Sequence, residues 1–151
     1  DDVESRGLGD VYKRQFIKQR LEHSEGFMEY LPVTVKDIGQ GYVKAALSVT
    51  KQLRNPFGTL HGGCMYAVAD SVAGAAAMTY GRYVTTISGH IHYLNSVDEE
   101  AELKVLTTEI KSGRTILTYD VAFIDSYENI ICKATLEYFA LNEIKLEEMN
   151  I

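Results

Sequence analysis

Several function classes need features that this chain has little of. It carries two cysteines, Cys64 and Cys132, far apart in sequence. No C-x-x-C pair is present, which argues against the common zinc and dithiol motifs. Both read as free thiols of a reducing compartment, so a cytoplasmic location is expected. Cys64 follows a glycine pair but has no local nucleophile signature, and buried cysteine is common. No apolar run approaches the ~20 residues of a membrane span, so no membrane association is expected. The first residues are charged and show no apolar signal-peptide core. Positive charge is scarce: 15 Lys and Arg stand against 21 Asp and Glu, a net charge of -6. That balance argues against nucleic acid as a partner, because such surfaces are normally basic. The four histidines, His23, His61, His90 and His92, form no H-x-x-x-H or H-E-x-x-H pattern. No metal site is expected. Internal repeats and low-complexity segments are also missing.

What remains is a globular pattern. The chain has 151 residues, 46% of them hydrophobic, enough for one domain with a real core. Residues 1–11 show no apolar period. Residues 12–24 place Phe16, Ile17 and Leu21 loosely on one side and predict a short amphipathic helix, closed by Gly26. Residues 1–26 are therefore read as an N-terminal extension with a short helix, and 27–151 as a single domain. From 31 the period becomes two: 31–38 and 42–50 alternate around the GQG turn, a hairpin signal. Residues 51–59 hold Asn55-Pro56 and Gly58, a loop. Residues 60–80 are apolar nearly all round, which predicts a buried helix, with Gly81 as its stop. Four strand-like runs follow at 83–94, 101–111, 114–125 and 129–141, joined by short polar loops. Short connections favour an antiparallel sheet. One long apolar helix covered by such a sheet is an α+β layer architecture.

The buried helix carries one acid, Asp70, on the same face as Gly63, Tyr66, Ala67, Gly74 and Ala77, as the 3.6-residue period dictates. A buried carboxylate is expensive unless paired or functional, and small neighbours leave room for a ligand. At the helix start stands His61-Gly62-Gly63. The first amides of a helix lack internal acceptors and favour negative charge, and glycine admits a close approach. Gly62 and Gly63 are thus candidate donors to a developing oxyanion. Asn55 supplies an amide in the preceding loop. These parts suffice for acyl-group hydrolysis. Gly63 and Asp70 lie two turns apart, roughly 10 Å along the axis, too far to share one carbonyl within one chain. A symmetric dimer with shared sites removes the conflict.

The whole stretch NPFGTLHGGCMYAVADSVAG, residues 55–74, closely resembles the signature of hotdog-fold acyl-CoA thioesterases of the PaaI type. It has their N-x-x-G-x-x-H-G-G start and an Asp nine residues after the His. VTTISGHIHYL resembles the family's next strand, with Thr86 at a Thr/Ser position, and Ser112-Gly113-Arg114 resembles its turn toward coenzyme A. The likeness covers about residues 27–141. It implies a hotdog fold, an antiparallel sheet wrapped around a long central helix, and a homodimer with shared active sites, commonly paired into a homotetramer. It implies Asp70 as general base or nucleophile, Gly62 and Gly63 as oxyanion site with Gly62 the main donor, Asn55 orienting water or the thioester, and Thr86 supporting the water or the carboxylate from the next strand. His61 belongs to the same cluster, as an anchor of the loop. Ser112, Gly113 and Arg114 fall to the coenzyme A side, and Ser88, two residues after Thr86, to the acyl end. No cofactor is implied; coenzyme A is part of the acyl-CoA substrate. Two other readings stay open: a non-catalytic acyl-CoA-binding module, and a hotdog enoyl hydratase or dehydratase, which would use a His with an acid. His90 and His92 share one face of their strand and are read as lining a subunit interface, without chemistry.

Overall fold

The computed structural model describes the backbone of residues 2–149 and the side chains of residues 9–149. Helix α1 (Asp2–His23) leads through a 3-10 turn at Phe27–Tyr30 into strands β1 (Val33–Gly39) and β2 (Tyr42–Val49). Helix α2 (Gly62–Met78) follows, and then β3 (Arg82–Tyr93), β4 (Ala101–Ser112), β5 (Ile116–Ile124) and β6 (Ile130–Glu143). The strands form one antiparallel sheet in the order β1-β2-β4-β5-β6-β3. It curls around α2, which packs against all six strands. This is the expected hotdog architecture.

The reason lies in two periodicities. β5 buries Leu117, Tyr119, Val121 and Phe123 while the residues between them stay half-exposed. Alternation of that kind gives the sheet one apolar face. α2 has no polar stripe, so its stable place is against that face: Val68, Val72, Ala73 and Ala76 have no exposed surface. Its C-terminus closes with Thr79 Oγ1 donating to the Ala76 carbonyl at 2.6 Å and with Gly81 at φ +95°, the stop that the sequence predicts.

The N-terminal helix is longer than predicted. Helical backbone begins at Asp2, not near residue 12. The early turns carry no apolar period, so patterning has nothing to read there. The later turns dock: Ile17 and Leu21, one turn apart, are 1% and 6% exposed. A 3-10 turn at Leu146–Met149, unannounced by the sequence, buries Met149.

The two sheet edges differ. β1 is short, bulged between Val35 and Asp37, and bonded to α1 through the Val35 N–H and Glu22 Oε2 at 2.8 Å. Those are devices that blunt an edge. β3 has twelve residues, pairs only with β6, and exposes Ile87 and Tyr93. It remains a template for another strand. No helix among the described residues is long and apolar enough to cross a membrane.

Both cysteines are buried. Desolvation pushes the Cys64 thiol from 9.0 up to about 11 and the Cys132 thiol up to about 12. Above pH 9 the unfolded chain releases thiol protons that the folded chain keeps. Stability is therefore full below pH 9 and falls as pH rises toward the folded values, by about 1.4 kcal/mol per pH unit and thiol. Urea midpoints in reductant should drop steeply above pH 9, and Cys132→Ala should make the drop shallower. A midpoint that stays flat up to about pH 10.5 would show the thiols ionising within the fold.

Candidate active site

The loop before α2 is organised by one side chain. Asn55 Oδ1 accepts the backbone N–H groups of Phe57 (3.0 Å) and Thr59 (3.1 Å), and its Nδ2 donates to Thr59 Oγ1 at 2.8 Å. An Asn in this role makes a self-bonded turn. Gly58, at φ +86°, completes it. The turn delivers His61 as the N-cap of α2, and His61 Nδ1 accepts the Gly63 N–H at 2.8 Å. The neutral ring then carries its proton on Nε2.

This cap divides the glycine pair. Gly63 has its amide engaged by His61, so it departs from the expectation of two oxyanion donors. The Gly62 N–H has no acceptor among the described residues. Its carbonyl accepts Tyr93 Oη at 2.8 Å. A Cβ on Gly62 would lie 2.9 Å from Tyr93 Cζ, so glycine here admits the tyrosine. Asn55, Gly62, Met65, Tyr93 and Asn95 line one shallow cleft.

Asp70 lies two helical turns further along α2. It is half-buried, and its Oδ1 accepts Thr86 Oγ1 at 2.8 Å and Tyr138 Oη at 3.0 Å. The Tyr138 hydroxyl also sits 2.6 Å from the Asp70 carbonyl. Burial first, and then the Asp70 charge, push the Tyr138 phenol well above the usual tyrosine range, so it stays a donor. Asp70 Oδ2 has no hydrogen-bond donor among the described residues. The carboxylate thus has one oxygen pinned and one free. It lines a cleft of about 240 Å³ with Gly74, Met28, Leu21, Thr86 and Tyr138. A bulge between Thr86 and Ser88 aims Thr86 at the acid.

Two half-sites result. Asp70 and Thr86 meet in one cleft; Asn55, His61, Gly62 and Gly63 gather at the other. Gly62 and Asp70 are eight residues apart on one helix, about 12 Å. The remaining sequence candidates lie outside both clefts. Ser88 pairs with Glu137, on the sheet face opposite to Thr86 and Tyr138. Ser112, Gly113 and Arg114 form the β4–β5 turn, where the Gly113 N–H donates to the Ile116 carbonyl at 2.9 Å and Arg114 is exposed. Sequence reasoning missed Tyr138 and Tyr93. Both look like ordinary strand tyrosines until the register sets Tyr138 beside Thr86 and Tyr93 reaches Gly62.

With an acid and a helix N-terminus in this arrangement, the comparisons with known proteins become decisive. Residues 57–132 match the profile of the thioesterase superfamily. The chain belongs to the thioesterase superfamily. One relative, the 1,4-dihydroxy-2-naphthoyl-CoA hydrolase of Listeria monocytogenes, is 25% identical over 111 residues, 71% of this chain and 89% of the relative. The E. coli PaaI protein from the phenylacetic acid degradation operon superposes with a TM-score of 0.81 at 16% identity, covering 89% of this chain and 97% of PaaI. A Streptococcus mutans protein solved bound to acetyl CoA superposes with a TM-score of 0.75 at 23% identity, over 82% of this chain and 99% of that one. These superpositions carry the fold. The superfamily match spans the Gly62 helix start, Asp70 and Thr86, and ends at Cys132, so Tyr138 and α1 lie beyond it.

Proposed function

We propose that this member of the thioesterase superfamily hydrolyses acyl-CoA thioesters at sites shared between two copies of the chain. One observation carries the reading: a carboxylate held by Thr86 and Tyr138 at one oxygen, free at the other, opening on an apolar cleft. The acetyl-CoA-bound neighbour and the CoA hydrolase among the relatives support this substrate class.

The thioester carbonyl rests on the Gly62 amide of one protomer, at the positive end of α2. Asp70 of the other protomer takes a proton from water through Oδ2 while the water oxygen bonds to the carbonyl carbon. The oxyanion collapses, the C–S bond breaks, and the thiolate leaves to take up the proton. Direct attack by the same carboxylate, followed by hydrolysis of the anhydride, uses the same atoms. The substrate and water are the only reactants this route requires. The exposed β3 edge joins the copies, and exposed Arg114 takes the coenzyme A phosphates. The histidine that the shared site brings toward Asp70 is His61, whose Nδ1 is engaged in capping α2; that structural role weighs against hydratase chemistry.

The test is release of free thiol from a panel running from acetyl- to palmitoyl-CoA with benzoyl- and phenylacetyl-CoA. Turnover is expected. It should fall off for palmitoyl, because α1 and Met28 wall the acyl cleft. Tight binding of every acyl-CoA without thiol release would replace the enzyme by a binding module.

The two hydroxyls give a further expectation. Thr86→Val or Tyr138→Phe removes one hydrogen bond to a charged group, worth about 1.5 kcal/mol, so kcat should fall about tenfold with KM little changed. An unaltered kcat in both variants would remove these hydroxyls from the chemistry.

A further inference from the structure

Outside both clefts, β3 carries a second cluster. His90 and His92 pair with Thr135 and Lys133 on β6, whereas Gly89 and Ile91 pair with the core residues Leu136 and Ala134. The two histidines therefore stand on the outer face of the sheet, away from α2, and both are exposed. Their rings lie edge to face with centroids 4.5 Å apart, and their Nε2 atoms converge to 3.0 Å.

That separation has a chemical meaning. A first-row transition ion binds imidazole nitrogen at about 2.0–2.1 Å. Two such nitrogens bound at angles between square and tetrahedral are about 2.9–3.4 Å apart. The observed pair already has that bite. Two imidazoles are half of a full set of ligands, and among the described residues no group of three His, Cys, Asp or Glu side chains is placed to hold an ion. The site is incomplete in one chain.

The shared-site reading, on which this step rests, supplies the other half. Gly62 is tied to Tyr93 and Asp70 to Thr86, each at 2.8 Å. Antiparallel pairing of two β3 edges that joins Gly62 of one copy to Asp70 of the other sets position 93 level with position 86. Positions 86 and 93 face Tyr138 and Cys132, six ladder steps apart because of the bulge between Thr86 and Ser88, so the two-fold axis crosses β3 at His90. Opposed residues of an antiparallel pair are about 4.5–5.5 Å apart. His90 thus stands next to its symmetry mate, with His92 one pleat further along each strand, all four on the outer face. Asp120 and Lys133 line the same groove, and Asp120 Oδ1 accepts Thr135 Oγ1 at 2.6 Å.

We propose that His90 and His92 of two protomers hold one divalent transition-metal ion on the dimer axis, with zinc or nickel the class of ion that imidazole donors favour. The ion would staple the β3 seam on the face opposite to the hydrolytic clefts.

Zinc chloride titrated into the 151-residue chain by calorimetry, with sedimentation equilibrium alongside, tests this. One zinc per two chains is expected, with affinity reduced more than about tenfold in His90→Ala and in His92→Ala. Zinc should raise the melting temperature of the parent and of the control His23→Ala, which keeps the site, but not of His90→Ala or His92→Ala. Acyl-CoA hydrolysis by the metal-free variants should match that of the metal-free parent. Zinc binding unaffected by either substitution, or no saturable binding, overturns the site. One zinc per chain on an intact dimer overturns the sharing. A monomeric chain that still hydrolyses acyl-CoA overturns both the seam and the shared active site, leaving the reaction itself standing.

Discussion

If the proposed reaction holds, Asp70→Asn should fold like the parent and hydrolyse acyl-CoA at least about 100-fold more slowly, the lower end of what a general base contributes. The geometry makes this substitution clean. Asparagine has the shape of aspartate, and its carbonyl oxygen can still accept Thr86 Oγ1 and Tyr138 Oη, the two bonds made by Asp70 Oδ1. What changes is the second position, where an NH2 group replaces Oδ2. That group cannot take a proton from water or attack a carbonyl. Packing is retained and the chemistry is lost. Initial rates of thiol release, with circular dichroism and melting temperature on the same samples, separate the two. Activity within a few-fold of the parent would remove Asp70 from the reaction, whichever of the base and nucleophile routes were preferred.

Two variants expected to be inactive alone should regain activity when mixed. Gly62→Val places branched bulk where a Cβ already meets Tyr93 Cζ at 2.9 Å, and it should obstruct the amide proposed to receive the oxyanion. Loss of one such donor costs about 100- to 1000-fold. In a heterodimer of Gly62→Val with Asp70→Asn, one site combines both defects. The other combines an intact Gly62 with an intact Asp70. Random exchange makes half the dimers mixed, each with one working site in two, so activity should recover to about a quarter of the parent's. The variants are unfolded together in urea, refolded and assayed against each refolded alone. If the mixture stays as inactive as its parts, Gly62 and Asp70 serve the same chain, and the dimer axis drawn through β3 fails with it.

The readable part of this protein was the part written in local periods. The alternation at 42–50 and 101–111 predicts strands that end within one residue of those observed. The apolar run at 60–80 predicts α2 within two residues at each end. The helix period alone set Asp70 and the glycines two turns apart, and that distance called for a second copy. The motif at 55–74 led to the superfamily. Longer-range facts had no such signal. α1 carries no apolar period before Phe16, so its start was invisible, and its place over the Asp70 cleft depends on where β1 and α2 leave a gap.

The candidate site divides along the same line. Residue types and spacing determined the acid, the capping histidine and the glycine pair, because a helix start imposes its chemistry within a few residues. The cap itself is local, Gly63 donating to His61 two residues back; tertiary structure alone decided that Tyr93 reaches the Gly62 carbonyl. It also decided that Tyr138, sixty-eight residues from Asp70, shares the acid with Thr86, and that β3 lies at the unprotected edge. The physical reason is register. A strand's sequence says which faces its residues alternate between, but which residue stands opposite which is set only when the sheet closes around the helix.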